Sequence, residues 1–143
     1  MFGAVRKAVT AVAASDRAPA DKIRDYVAAI AREAQARPHF PPIWLREIAE
    51  GGAHVDESTF AYLRDVLSTL AAIIAEGARE GRFQTLPVFM VQAGIIGPLM
   101  LFFATPKLRD KMARLTRADV NISREAVVAH VQRVTLAQLE GRI

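Results

Sequence analysis

Apolar residues recur every three or four positions along most of this chain, with polar residues between them. Ile23, Tyr26, Val27 and Ile30, for example, follow the spacing that places side chains on one stripe of an α-helix. No run alternates apolar and polar residues clearly enough to indicate a strand. The pattern therefore predicts a single all-α domain, with helices over residues 2–14, 19–37, 41–50, 57–80, 86–104, 106–115 and 124–140.

Proline, glycine and short polar residues mark several ends of these helices. Pro41 suits the first turn of the third helix, where its missing N–H costs nothing. Gly51 and Gly52 are expected to stop that helix, because glycine adopts the left-handed cap conformation without strain. Asp56 and Ser123 are predicted N-caps of the fourth and last helices, since their side-chain oxygens can accept from free backbone N–H groups.

The fourth helix carries the longest apolar repeat. Phe60, Leu63, Leu67, Leu70 and Ile74 recur at intervals of three or four residues and define one buried face. We therefore expect this helix to be central in the fold.

The segment from residue 83 to residue 106 is different, because its 24 positions contain no charged side chain. By length it could span a bilayer, for which about 20 apolar residues suffice. The alternative is a helix buried against its own core on one side and a second copy of the chain on the other. Gln84 and Gln92 interrupt the run, and Ala93, Gly94 and Gly97 allow close helix packing, so the buried interface is the favoured interpretation.

The composition indicates a folded protein and is compatible with the reducing cytoplasm, where we expect this protein to be located. Of the 143 residues, 52% are hydrophobic, which excludes a disordered chain, and there is no cysteine to form a disulfide or a thiolate metal site. No long apolar run follows Arg6 and Lys7, so no signal peptide is predicted. The net charge of +4 comes from residues 105–143, which could touch phosphates or anionic lipid but are interpreted as a solvated helix face.

The sequence shows no catalytic or metal-binding motif. The three histidines, His39, His54 and His130, are too far apart to form a helical metal-ligand pair. Neither a glycine-rich phosphate loop nor a nucleophile elbow is present. We therefore expect no enzyme activity, no cofactor and no metal.

A cavity for a small apolar ligand is the more credible site. Aromatic and aliphatic side chains from the second, third and fourth helices could converge around Trp44, the only tryptophan, with a polar group such as Gln92 among them. The alternative for each of these residues is an ordinary place in the core. The predicted pocket residues are Tyr26, Ile30, Phe40, Trp44, Phe60, Leu63, Leu67, Leu70 and Gln92.

Four segments together resemble the C-terminal, effector-binding half of TetR-family transcriptional regulators. The segment over 40–52 reads Phe-Pro-Pro-Ile-Trp-Leu-Arg-Glu-Ile-Ala-Glu-Gly-Gly, and a long helix closes at 77–83 in Gly-Ala-Arg-Glu-Gly-Arg-Phe. The run Gly-Pro-Leu-Met-Leu-Phe-Phe-Ala-Thr-Pro over 97–106 and the Glu-Gly pair at 140–141 extend the likeness along the chain. These signatures mark helix ends and interfaces, not catalytic groups.

The resemblance implies a bundle of about six helices that binds a small apolar effector and forms a homodimer. Residues 1–14 would be a connecting helix, and 86–104 and 123–140 would be the interface helices. The predicted interface residues are Phe89, Ala93, Ile96, Gly97, Met100, Val127, His130, Val131 and Val134.

The N-terminal helix-turn-helix head that such regulators carry is not recognised in this sequence. Residues 1–14 correspond to the helix that follows that head. We therefore expect DNA binding only through a head that these residues lack, and no membrane partner. A small membrane-associated helical protein, using 83–106 as its membrane segment, is the alternative interpretation.

Overall fold

The computed structural model describes residues 1–143 and contains seven α-helices and no strand. The predicted all-α fold is confirmed, with one helix more than the approximate count of six. The helices are α1 (Phe2–Ala14), α2 (Pro19–Ala36), α3 (Phe40–Ala49), α4 (Glu57–Arg79), α5 (Val88–Ala104), α6 (Pro106–Thr116) and α7 (Arg124–Leu139).

Local signals set most of the helix ends as predicted. The Asp56 carboxylate accepts from the Thr59 backbone N–H at 2.8 Å, and the Ser123 hydroxyl accepts from the Ala126 backbone N–H at 3.0 Å. Gly51 has a φ of +77°, in the left-handed region that favours glycine. Several ends differ from the predicted ones by one residue, and the start of α5 differs by two. This helix begins at Val88 and not at residue 86, because Leu86 precedes Pro87 and a residue before a proline avoids the helical conformation.

The core is built around α2, which packs against α1, α4, α5 and α7. Tyr26, Val27 and Ile30 of α2 have almost no exposed surface. The fourth helix, which was expected to be central, packs against α1, α2 and α5, and its buried residues are confined to Val66 and those after it. The second helix contributes more buried residues to the core than any other helix.

The C-terminal end of α4 is tied to the core by two specific contacts. The buried Lys22 ammonium donates to the Glu76 carboxylate and to the Ala13 carbonyl oxygen, each at 2.9 Å, so it also caps the end of α1. The Phe83 ring lies directly over Gly77, where a Cβ would stand only 2.1 Å from ring atom Cδ2. A side chain at position 77 would displace that ring.

The basic helix α6 stands apart from the bundle. None of its residues is buried, and Leu108, Met112 and Leu115 expose an apolar stripe. It is joined to α5 through a 67° bend, where the Arg109 guanidinium donates to the Phe102 carbonyl oxygen and lies 4.0 Å from the centre of the Phe102 ring.

One helix, α4, is long and apolar enough to cross a membrane, and α5 meets that test only when it is joined with α6 across their bend. Val66, Leu70 and Ile73 of α4 are buried in the core of the chain. Core helices meet the same length and hydropathy criteria, so this observation is weak support for a membrane segment.

Candidate functional site

An apolar cavity of about 440 Å³ lies between α1, α3, α4 and α5. Its volume is in the range of small-molecule sites, and no charged side chain lines it. The lining residues are Met1, Phe2, Val5, Ile30, Phe40, Trp44, Leu45, Ile48, Leu63, Val66, Leu67, Phe89, Gln92, Ala93, Ile96, Gly97 and Met100.

Three aromatic side chains fix the position of α3 at one wall of the cavity. The Phe2 ring meets the Phe40 and Trp44 rings edge to face, with centroid distances of 5.1 Å and 4.9 Å. Phe40 and Trp44 lie nearly parallel, 6.0 Å apart, one turn apart on α3. Edge-to-face pairs stabilise such contacts beyond simple burial, so α1 and α3 are held together through this cluster.

Gln92 of α5 contributes a polar amide group to the cavity wall. Its Oε1 accepts a hydrogen bond of 2.7 Å from the hydroxyl of Tyr26, whose side chain is fully buried. Burial raises the pKa of Tyr26 above its ordinary value, and the bond to Gln92 opposes this only in part. The phenol therefore stays protonated and acts as a donor to Gln92.

Six of the nine predicted pocket residues line this cavity: Ile30, Phe40, Trp44, Leu63, Leu67 and Gln92. Three do not. Tyr26 lies behind Gln92, and Leu70 is fully buried against the core. Phe60 is half exposed and packs near Gly52, outside the cavity.

The prediction missed the contribution of α1. Met1, Phe2 and Val5 line the cavity, although residues 1–14 were expected only to connect the domain to a preceding head. Phe2, Val5 and Val9 follow a helical spacing, and this signal could have placed one face of α1 against the rest of the bundle.

The predicted interface residues of α5 line the cavity. Phe89, Ala93, Ile96 and Gly97 do so, and so does Met100, which is buried within the chain itself and cannot reach a partner. Phe89, Ala93 and Gly97 are nevertheless exposed, Phe89 to 68%, so they are surface as well as cavity wall. Met90, Gly94, Pro98 and Leu101 form a second exposed strip, the outer face of α5, in which Met90 and Leu101 are each 58% exposed.

On α7 the predicted interface residues divide by burial. Val131 is buried in the core, so it cannot reach a partner, and Val127 is partly buried. His130 and Val134 are exposed. Together with the outer face of α5, they leave an uncovered, largely apolar surface beside the α5–α7 contact.

A second cluster joins Glu47, Glu50 and His54 at the end of α3. The Nδ1 atom of His54 lies 2.9 Å from Glu47 Oε1 and 3.4 Å from Glu50 Oε2, and the His54 backbone N–H also donates to Glu47. The spacing between histidines does not reveal this grouping, because its other two members are glutamates. Because these groups pair with one another, they join the loop after α3 to the helix.

Comparison of the chain with models of known protein families, with curated proteins and with solved structures gives no match.

Proposed function

We propose that residues 1–143 form the ligand-binding and dimerisation portion of a TetR-like transcriptional regulator. A small apolar effector would control operator binding by a DNA-binding head additional to these residues. The observation that carries the proposal is the apolar cavity, whose α3 wall is built by Phe40 and Trp44 of the segment that resembles this family. Apolar walls with a few polar groups are typical of small-molecule sites.

The position of α1 supports a route from the ligand to the head. Met1, Phe2 and Val5 line the cavity, and α1 is the helix that would connect the domain to a DNA-binding head. A ligand that prefers one position of α1 would shift the population of head arrangements and so change operator affinity. The ligand must bind the two arrangements with different affinities, because equal affinity would shift neither.

The homodimer is proposed through the outer face of α5 and the exposed part of α7. Met90 and Leu101 leave apolar surface uncovered, and Gly94 has no atom of its own chain within 4 Å of a would-be Cβ. Two such faces related by a twofold axis would cover one another and form an isologous contact.

The ligand site is tested with a neutral aromatic probe, 2-acetylnaphthalene. We expect it to raise the Tm of the wild-type protein, because a ligand that binds only the folded state stabilises it. Trp44→Ala should weaken binding roughly tenfold or more, since burial of an aromatic side chain contributes about 1.5–3 kcal/mol. Phe60→Ala is the matched control, because Phe60 is aromatic but lies outside the cavity. An equal loss of affinity in both variants would place the ligand elsewhere.

The dimer is tested by sedimentation equilibrium of the wild type and of Gly94→Arg. The wild type should sediment at twice the chain mass of 15.7 kDa, and the variant as a monomer, because arginine would place a charge in the seam. Ala75→Arg, at an exposed position on α4, is the control and should remain dimeric. A monomeric wild type contradicts the proposed interface.

The regulatory part of the proposal is tested at the gene. We expect the reading frame upstream of the Met1 codon to encode a helix-turn-helix. A frame that closes directly upstream, with no such motif, would leave a ligand-binding protein without the proposed control of transcription.

The membrane alternative is less well supported. Val91, Ile95 and Leu99 of α5 have no exposed surface and pack into the chain's own core, so only part of α5 is free to meet lipid. Partition between aqueous and detergent phases separates the two proposals, because a membrane protein would follow the detergent.

A further inference from the structure

The amide nitrogen of Gln92 is a hydrogen-bond donor in the cavity wall that its own chain leaves unused. Oε1 of Gln92 is taken by Tyr26, whereas Nε2 of Gln92 donates to no protein atom. No buried polar side-chain atom of the chain lacks a partner, so this amide nitrogen is not enclosed by protein and remains open to the cavity. It therefore presents a donor to whatever occupies the cavity.

Tyr26 fixes which end of the amide faces the ligand. A glutamine side chain can rotate to exchange its oxygen and nitrogen, and the hydrogen-bond network decides between the two. The buried Tyr26 hydroxyl has Gln92 as its one partner, so only the observed orientation lets it donate its proton. With the carbonyl oxygen occupied in this way, the NH₂ group is turned toward the cavity.

The remaining walls define the other properties of a ligand. No lysine, arginine or histidine side chain lines the cavity, and apart from Gln92 the lining side chains offer only the indole N–H of Trp44 as a polar group. A carboxylate or phosphate would lose its hydration there without meeting a cationic side chain. A ligand that is apolar over most of its surface meets no such cost.

We propose that the cavity selects neutral, mainly apolar molecules with one hydrogen-bond acceptor, such as a ketone or ester oxygen, which accepts from Gln92 Nε2. Gln92 is then the specificity residue, and Tyr26 is the positioning residue that orients its amide. This inference rests on the proposed ligand-binding function and adds the chemical class of the ligand.

The test uses three probes that share a naphthalene ring. 2-Acetylnaphthalene carries a carbonyl acceptor, 2-isopropenylnaphthalene replaces that oxygen with a CH₂ group of similar shape, and 2-naphthoate carries a charged acceptor. Dissociation constants are measured by calorimetry on the full chain for the wild type, Gln92→Leu and the surface control Gln35→Leu, whose glutamine is exposed on α2.

We expect Gln92→Leu to weaken binding of the ketone roughly three- to tenfold, the range of a neutral hydrogen bond, and to leave the hydrocarbon unchanged or tighter. The comparison of each probe across variants cancels the different hydration of the probes. The naphthoate should bind the wild type at least about tenfold more weakly than the ketone. Gln35→Leu should leave the dissociation constants of all three probes unchanged.

The possible negative results contradict different parts of the proposal. If none of the probes binds the wild type, the proposed ligand site itself is wrong. If the ketone and the hydrocarbon bind and Gln92→Leu affects both equally, the ligand site stands and the role of Gln92 is wrong. Tight binding of naphthoate would likewise overturn the selection of neutral ligands.

The Gln92→Leu change leaves the buried Tyr26 hydroxyl without a partner, which could unfold the chain. The double variant Tyr26→Phe/Gln92→Leu removes both polar groups, so no buried hydroxyl is left without a partner. Binding of the ketone and of the hydrocarbon is compared again in this variant. The single variant Tyr26→Phe tests whether Tyr26 orients the Gln92 amide. Without the Tyr26 hydroxyl the amide can rotate freely, so the preference for the ketone over the hydrocarbon should be reduced but not abolished. An unchanged preference in Tyr26→Phe would remove Tyr26 from the proposal.

Discussion

The two ends of α4 use the same apolar repeat for opposite purposes. Near its C-terminus, Leu70 and Ile73 pack into the core with almost no exposed surface. Near its N-terminus, Leu63 and Leu67 line a cavity of about 440 Å³. We call these parts the core end and the cavity end of α4. The comparison teaches that an apolar stripe determines which side of a helix is covered. The neighbouring element determines how tightly that side is packed.

The neighbours account for the difference. The fourth helix packs against α1 and α2, and at the core end Lys22 of α2 donates to Glu76. The cavity end shares the cavity with the short α3, which is held against α1 by the aromatic contacts of Phe2 with Phe40 and Trp44. Functional regions are commonly drawn from such thinly packed parts of a fold.

The largest expected difference between the two ends concerns leucine truncation. Leu70→Ala should lower the free energy of unfolding by about 2–5 kcal/mol, because it opens a new void in a closed core. Leu63→Ala should cost about 1 kcal/mol or less, because it enlarges a space that already exists. Chemical denaturation of both variants measures this. Equal losses would mean that the cavity end is as tightly packed as the core end.

The next effect concerns the buried ammonium at the core end. Lys22→Met should destabilise the chain by about 1–3 kcal/mol, because Ala13 and Glu76 both lose their donor. Arg24→Met is the control: its ion pair with Asp21 is exposed, so the cost should stay below about 0.5 kcal/mol. Thermal and denaturant unfolding provide the measurement. A cost no greater than that of the control would remove Lys22 from the contacts that tighten this end.

A smaller loss is expected where Phe83 covers α4. Gly77→Ala should cost about 1–2 kcal/mol, because the new methyl group forces the Phe83 ring to move, which outweighs the better helix propensity of alanine. Ala72→Ser, at an exposed position of the same helix, should change stability by less than about 0.5 kcal/mol. Denaturant unfolding compares the two. A stabilised Gly77→Ala protein would show that the ring gives way easily and that this end is loosely packed.

The smallest effect lies at the cavity end and depends on pH. Hydrogen bonds from Thr59 and Ser58 hold the pKa of Asp56 below its ordinary value of 3.8. The folded-state pKa is lowered, so the stabilisation by the carboxylate is present above about pH 4 and is lost as the pH falls through the lower, folded-state value. Asp56→Asn keeps a capping oxygen without the charge, so its stability deficit relative to wild type should shrink on acidification. Unfolding curves between pH 7 and pH 2 test this, and a deficit that grows in acid would reverse the assigned sign.

Much of the fold could be predicted because helix ends depend on local chemistry. The caps at Asp56 and Ser123 need only residues within one turn, and a single sequence contains that information. The start of α5 at Val88 obeys an equally local rule through Pro87, which the prediction overlooked.

The site could be predicted only in part, because it depends on which elements meet. Trp44 and Leu63 were placed in the cavity, but nothing along α4 indicates that Leu70 is buried in the core instead. The sequence also leaves the rotation of α5 open. An amphipathic helix is oriented by its polar side, and α5 has no charged side chain to set that orientation. The sequence therefore did not indicate that Ala93 and Gly97, which were assigned to a partner interface, also line the cavity while they remain exposed.

The presence of Met1 and Phe2 in the cavity wall has a practical consequence for anyone who produces this protein. A purification tag fused ahead of Met1 would begin beside the ligand space and could occupy it or displace the Phe2 ring. Ile143, at the opposite terminus, is 77% exposed and belongs to neither the cavity nor the core. Affinity measurements are therefore best made on protein tagged after Ile143, or on protein from which an N-terminal tag has been cleaved.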